Sequence, residues 1–161
     1  MDTNQHKGRL HILILGPYRP ESDLKRLESL QDCLITRKFE MTKLVKDFPD
    51  RRKFSDDMDE HFTKKSRLYI NTWAHVPIFI FFKDADNLGV NTELTFTCVN
   101  LLNKGKHAAV FFEQDMNISS QVIGSVKIAR ISYEIFENDK ELCDLAFGHS
   151  LKILDRLYYY I

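Results

Sequence analysis

Three carboxylates, Asp84, Asp86 and Glu93, fall within the segment Pro77 to Leu94, which reads P-I-F-I-F-F-K-D-A-D-N-L-G-V-N-T-E-L. Carboxyl groups held in different environments can divide labour. One stays protonated and hands a proton to a leaving group, while another ionises and attacks or stabilises a cationic centre. Here an apolar run stops abruptly in an acidic loop containing Asn and Gly. The loop feeds a helical pattern that opens near Asn91, which predicts Glu93 at the start of a helix. A second candidate stretch, Gly16-Pro17-Tyr18-Arg19, follows another apolar run. A Gly-Pro turn lets a ligand approach the backbone closely, and Tyr18 offers a stacking face and a hydroxyl. Arg19 offers a charge suited to a phosphate. Gly16, Pro17, Tyr18, Arg19, Asn87 and Asn91 form the candidate substrate-binding set, with Glu93, Asp84 and Asp86 as the candidate catalytic set.

These stretches meet only if the chain brings two strand ends together, and its periodicity predicts that it does. Leu10 to Leu15 (L-H-I-L-I-L) is a continuous apolar run ended by Gly16-Pro17, as in a strand buried on both faces. Helical spacing follows over 21–38, with acidic residues in the first turn where the helix dipole favours them. Phe39 to Phe48 reads as a second strand. A helix from Ser55 carries Met58, Phe62, Lys65, Tyr69 and Trp73 on one face. Pro77 to Phe82 is the third strand, Asn91 to Asn103 a helix stopped by Gly105, and His107 to Glu113 the fourth strand. A short helix near Ser119 to Ile123 precedes a half-exposed strand over Lys127 to Phe136. Asn138 and Glu141 have capping-box spacing and open a last helix running to about Tyr158.

Alternating strands and helices predict a parallel sheet with helices on both faces, joined by right-handed crossovers. The expectation is an α/β, flavodoxin/Rossmann-like three-layer sandwich of five parallel strands in order 2-1-3-4-5. In that order the loops after strands one and three sit side by side at the carboxyl edge, where ligands bind in such sheets. The chain of 161 residues suits one domain, 1–161, with residues 1–9 expected to be flexible.

Composition narrows the functional classes. Lys plus Arg total 23 and Asp plus Glu total 23, a balance without the basic excess of a dedicated nucleic-acid binder. No G-x-G-x-x-G or Walker A sequence occurs, so no dinucleotide cofactor or P-loop chemistry is expected. The histidines form no i, i+4 ligand pair, and Cys33, Cys98 and Cys143 show no C-x-x-C spacing. No metal site or redox pair is therefore expected. Separated cysteines fit a reducing cytoplasm, where they act as small apolar residues. The polar N-terminus and the shortness of the longest apolar run give neither a signal peptide nor a membrane span.

The I-L-G-P-Y after the first strand, the N-T-E-L after the third, and the K-G-K-H-A-A-V-F-F entering the fourth together resemble the nucleoside 2-deoxyribosyltransferase-like N-glycosidases, a group related in architecture to TIR domains. The resemblance implies double displacement at the anomeric carbon of a nucleoside or nucleotide. Glu93 would be the nucleophile, Asp84 or Asp86 would protonate or hydrogen-bond the departing base, and base and sugar would lie near Gly16, Pro17 and Tyr18. It also implies a homodimer in which the C-terminal helix, with Tyr158, Tyr159 and Tyr160, lies at the interface. Three departures stand out, one being His75 and Val76 at the entrance to the third strand, where the family tends to carry an aspartate. No Gly-Thr precedes the glutamate, and Thr95 replaces the glycine that usually follows Glu-Leu. A nucleotide sensor without turnover and a TIR-like NAD-cleaving or interaction domain are the alternatives. Each residue also has a plainer role: Glu93 as a dipole-satisfying residue, the aspartates as turn residues, Gly16-Pro17 as a turn, and Arg51-Arg52-Lys53 as a solvated loop.

Overall fold

The computed structural model describes residues 3–50, 55–101 and 107–159. In chain order the elements are α1 (Thr3–Lys7), β1 (Ile12–Leu15), α2 (Glu21–Thr36), β2 (Thr42–Leu44), a 3-10 turn (Val45–Asp47), α3 (Met58–Thr72), β3 (Val76–Phe81), α4 (Leu88–Asn100), β4 (Ala109–Glu113), α5 (Ser120–Ile128), β5 (Ser132–Phe136) and α6 (Asp139–Tyr159). The five strands form one sheet in the order β2-β1-β3-β4-β5, every neighbouring pair parallel, as the sequence predicts.

Register puts Ile12 beside Val76 and Leu15 beside Phe79, so β1 and β3 end near one another at the carboxyl edge. Both strands are buried throughout, and successive residues divide between two cores. Ile12, Ile14, Ile78 and Ile80 pack with Leu27 and Leu34 of α2 and with Leu142, Ala146 and Ile153 of α6. Leu13, Leu15, Phe79 and Phe81 pack with Ile70 of α3, Val90 and Leu94 of α4, and Val126 of α5. This two-sided burial explains why the strands read as unbroken apolar runs.

Several boundaries differ from the sequence reading, each for a local reason. The second strand shortens to three residues because Leu44 N–H is taken by Asp47 Oδ2 (2.8 Å), which closes a 3-10 turn. Helix α3 starts at Met58, capped by the Asp57 carboxylate accepting from Glu60 N–H (2.8 Å). Helix α5 continues to Ile128, so the expected fifth strand loses its first five residues to a helix end and a turn. Residues 3–7 form a helical turn in which the His6 ring sits 4.7 Å from the Tyr158 ring. Asn138 Oδ1 accepts from Glu141 N–H (2.9 Å) and caps α6 as expected, while the Glu141 carboxylate accepts from Glu137 N–H (3.1 Å), one residue before the position a full capping box would use. The sulfurs of Cys33 and Cys143 meet between α2 and α6 as a disulfide with Cα atoms 6.4 Å apart, a pairing that their 110-residue separation conceals in the sequence. Residues 51–53, 104–106 and 160, to which the sequence reading gave roles, lie outside the described residues.

Candidate active site

The loop after β3 is built around one side chain. Asn87 accepts from Phe82 N–H through Oδ1 (3.2 Å) and donates from Nδ2 to Phe82 O (2.8 Å), closing 82–87 into a ring. Asp84 stands at its turn with φ 60°, a left-handed conformation that Asp tolerates better than most residues. Asp86 Oδ1 then accepts from Leu88 N–H (3.3 Å), and α4 starts there, three residues before the expected Asn91. The consequence for Glu93 is large. It lies in the second turn of α4, beyond the first-turn positions where a carboxylate answers the helix dipole. The plain helix-start role expected from the sequence therefore does not apply.

Glu93 instead points inward, 6% exposed, beside Ser66 and Arg67 of α3. Burial pushes its carboxyl up to about 7, against smaller opposing contributions from a hydrogen bond with Ser66 and the charge of Arg67. A carboxyl that titrates near neutrality serves either as a proton donor or as a poorly solvated nucleophile.

Glu93 opens onto a cleft of about 520 Å³ at the carboxyl edge. Gly16, Pro17, Tyr18 and Arg19 line it from the β1 side, and Asp86, Thr92 and Glu93 from the β3 side. The third wall was not legible in the sequence: Met58, Asp59, Phe62 and Thr63, from the first turns of α3. Met58 and Phe62 read as inward residues of an amphipathic helix, yet Met58 is 72% exposed at the cleft mouth. The available signal was positional, since in a doubly wound sheet a helix following a strand begins at the carboxyl edge.

Six of the nine candidate residues thus share one cleft. The other three do not line it. Asp84 is exposed on the loop, Asn87 spends its amide on Phe82, and Asn91 sits half-buried inside α4. Gly16 is required by close approach: a Cβ there would lie 2.8 Å from Leu27 Cδ2. Tyr18 packs edge-on against Phe62, centroids 5.1 Å apart, and its hydroxyl accepts from Lys46 N–H (3.3 Å). Burial raises the Tyr18 phenol well above its ordinary range, so at neutral pH it remains a neutral donor facing the cleft.

On the other side of the sheet the same edge is braced by Arg26. Its guanidinium donates to Glu113 (2.8 and 3.2 Å) and Asp139 (2.9 and 3.0 Å) and stacks 3.9 Å over the Phe82 ring. Glu113 also accepts from Lys83 N–H (2.7 Å), so the bracing reaches the base of the β3 loop. Among the described residues no cluster of three or more metal-ligating side chains occurs, and no helix is long and apolar enough to cross a membrane.

No protein-family model matches the sequence, and no curated protein matches it. Among solved structures the chain is similar to a CMP N-glycosidase, BcmB, from Clostridium botulinum, with a TM-score of 0.57 and 18% identity over 84% of this chain and 96% of that one. At that identity the likeness carries the α/β fold.

Proposed function

We propose that the carboxyl-edge cleft cleaves the bond between base and sugar in a nucleoside or nucleotide, with Glu93 as the nucleophile. The observation that carries this reading is a buried carboxyl facing a cleft at the ligand-binding edge of the sheet, with its proton equilibrium moved to neutrality. The fold shared with a CMP N-glycosidase supports the substrate class.

In its ionised form a Glu93 oxygen attacks the anomeric carbon. The bond from that carbon to the base nitrogen breaks, and its electron pair leaves with the base. The base takes a proton from solvent water as it leaves, and Asp86, the aspartate of the β3 loop that lines the cleft, is placed to hydrogen-bond it. The sugar is then held as a glycosyl ester. Water attacks the same carbon, returns a proton to solvent, and releases the sugar and free Glu93; a second base in place of water gives transfer. Tyr18 presents a neutral hydroxyl and an aromatic edge to the substrate, and Arg19 answers a phosphate if one is present.

The test is release of free base from a panel of nucleosides, nucleoside monophosphates and NAD, followed chromatographically. Base release that falls at least about a thousandfold in Glu93→Ala is expected. Unchanged release in that variant would remove Glu93 from the chemistry. The second reading is a sensor that binds the same ligand without turnover. It is favoured by the neutral-side equilibrium of Glu93, which lets the protonated carboxyl act as a hydrogen-bond donor. Thermal stabilisation by a nucleotide with no free base formed identifies that case.

A further inference from the structure

A second cleft, of about 370 Å³, lies at the opposite, amino edge of the sheet. It forms where the end of α5, the first residues of β5 and the second half of α6 converge. Lys127 and Arg130 line it from the α5 end, Lys152 and Arg156 from α6, and Tyr133 from β5. All four cations are solvent-exposed, and none has an acidic partner among the described residues, although ion pairs are common elsewhere on this surface. Among the described residues no carboxylate lines the cleft. His149 forms its floor. Its ring is fixed by Nε2–H donating to His107 O (2.8 Å), and burial holds it below its ordinary range, so it stays neutral at pH 7.

Basic residues near a helix C-terminus often just answer the dipole, and Lys127 and Arg156 lie in last turns. Arg130 does not fit that explanation. It occupies a left-handed position (φ 56°) just past α5, where its N–H closes on Lys127 O (3.1 Å) and glycine is the ordinary choice. The chain accepts the unfavourable backbone there and presents a guanidinium to the cleft.

We propose that this cleft binds the phosphate groups of a small oligophosphate-bearing ligand, at a site separate from the carboxyl-edge cleft. Converging cations in a concave wall focus a positive potential, and two guanidinium forks beside two ammonium groups match clustered phosphate oxygens. The volume falls in the range of small-molecule sites, roughly 300–1,000 Å³. The zero net charge of the chain gives no wider basic field to hold a nucleic acid.

Isothermal titration of the full-length protein with inorganic orthophosphate, pyrophosphate and tripolyphosphate at low and high salt tests this. Affinity is expected to rise along that series and to fall with salt. The Lys152→Gln/Arg156→Gln double variant should lose roughly 10- to 100-fold in affinity for tripolyphosphate. Arg130→Gly should also weaken binding while leaving the melting temperature equal or higher, a combination that a misfolded variant does not give. Binding that survives in both variants, or that is lost in Arg19→Ala and kept in both, overturns the proposal. So does a short oligothymidylate that binds more tightly than tripolyphosphate, which would make the cleft a nucleic-acid contact.

Discussion

Replacing Glu93 by glutamine should make the protein more stable and inactive at once. The side chain is buried, and its carboxyl is pushed up to about 7 from the ordinary 4.5. A folded-state pKa above the unfolded one favours folding while the group is protonated. That contribution is complete below pH 4.5 and is lost as pH rises through 7. A gap of about 2.5 units corresponds to about 3 kcal/mol, at 1.36 kcal/mol per unit. Wild-type stability therefore carries this penalty above pH 7, while Glu93→Gln keeps a neutral side chain of similar size and does not. At pH 8 the variant should unfold about 3 kcal/mol less readily, or melt roughly 6–12 °C higher, with the difference shrinking to nothing near pH 4.5. Urea unfolding of both proteins at pH 4.5, 6 and 8 gives the comparison directly. A stability difference that is constant across those pH values, or a variant less stable at pH 8, would refute the argument that Glu93 is held against its ionisation. Base release by Glu93→Gln should be absent throughout.

If ionised Glu93 is the nucleophile, kcat/KM of the wild type should rise through an apparent pKa near 7; a rate that falls over that range assigns it the proton-donor role instead. Gly16→Ala should cost about 1–3 kcal/mol, because the new methyl strikes the buried Leu27, and shortening Leu27 in the same chain should recover part of the loss in chemical denaturation. Arg26→Met should destabilise by about 1–3 kcal/mol at pH 7, because Glu113 keeps only the Lys83 N–H and the half-exposed Asp139 loses its cation. Burial lifts Glu113, but the Arg26 hydrogen bond and the Lys83 N–H outweigh it and hold the carboxyl below its usual range. The stabilising share of Glu113 is thus lost as pH falls below about 4.5, and the acid limb of the stability curve should flatten in that variant. Alkylation of the air-oxidised, denatured protein should label Cys98 alone, and after reduction all three cysteines; three labels before reduction would show that Cys33 and Cys143 do not pair.

The fold was legible because β1, β3 and β4 are buried on both faces and so appear as apolar blocks, separated by helices with three- and four-residue spacing. Strand order and the adjacency of the two loops follow from that alternation. The wall from α3 was not legible, since Met58 and Phe62 carry the same periodic signature whether they face a core or a cleft. The start of α4 was also misplaced. The residues that begin it are Asn87, which clamps Phe82, and Asp86, which caps Leu88, and both read simply as loop polarity in a one-dimensional string. Their hydrogen bonds decide the register of Glu93, and register separates a surface carboxylate from a buried one. The Cys33–Cys143 pair was hidden for a related reason. Spacing along the chain says nothing of two helices that pack against each other from opposite ends of it.

The Asn87 clamp has a consequence for how this cleft tolerates change. Because one amide ties both the N–H and the carbonyl of Phe82, residues 83–86 hang from a fixed neck, which Lys83 N–H on Glu113 and Asp86 on Leu88 N–H fasten to the sheet and to α4. Exchanges at Asp84, the exposed residue of the turn, leave those ties and the position of Glu93 intact. The outer turn is thus the one part of this loop that selection can revise without moving Asp86 or Glu93.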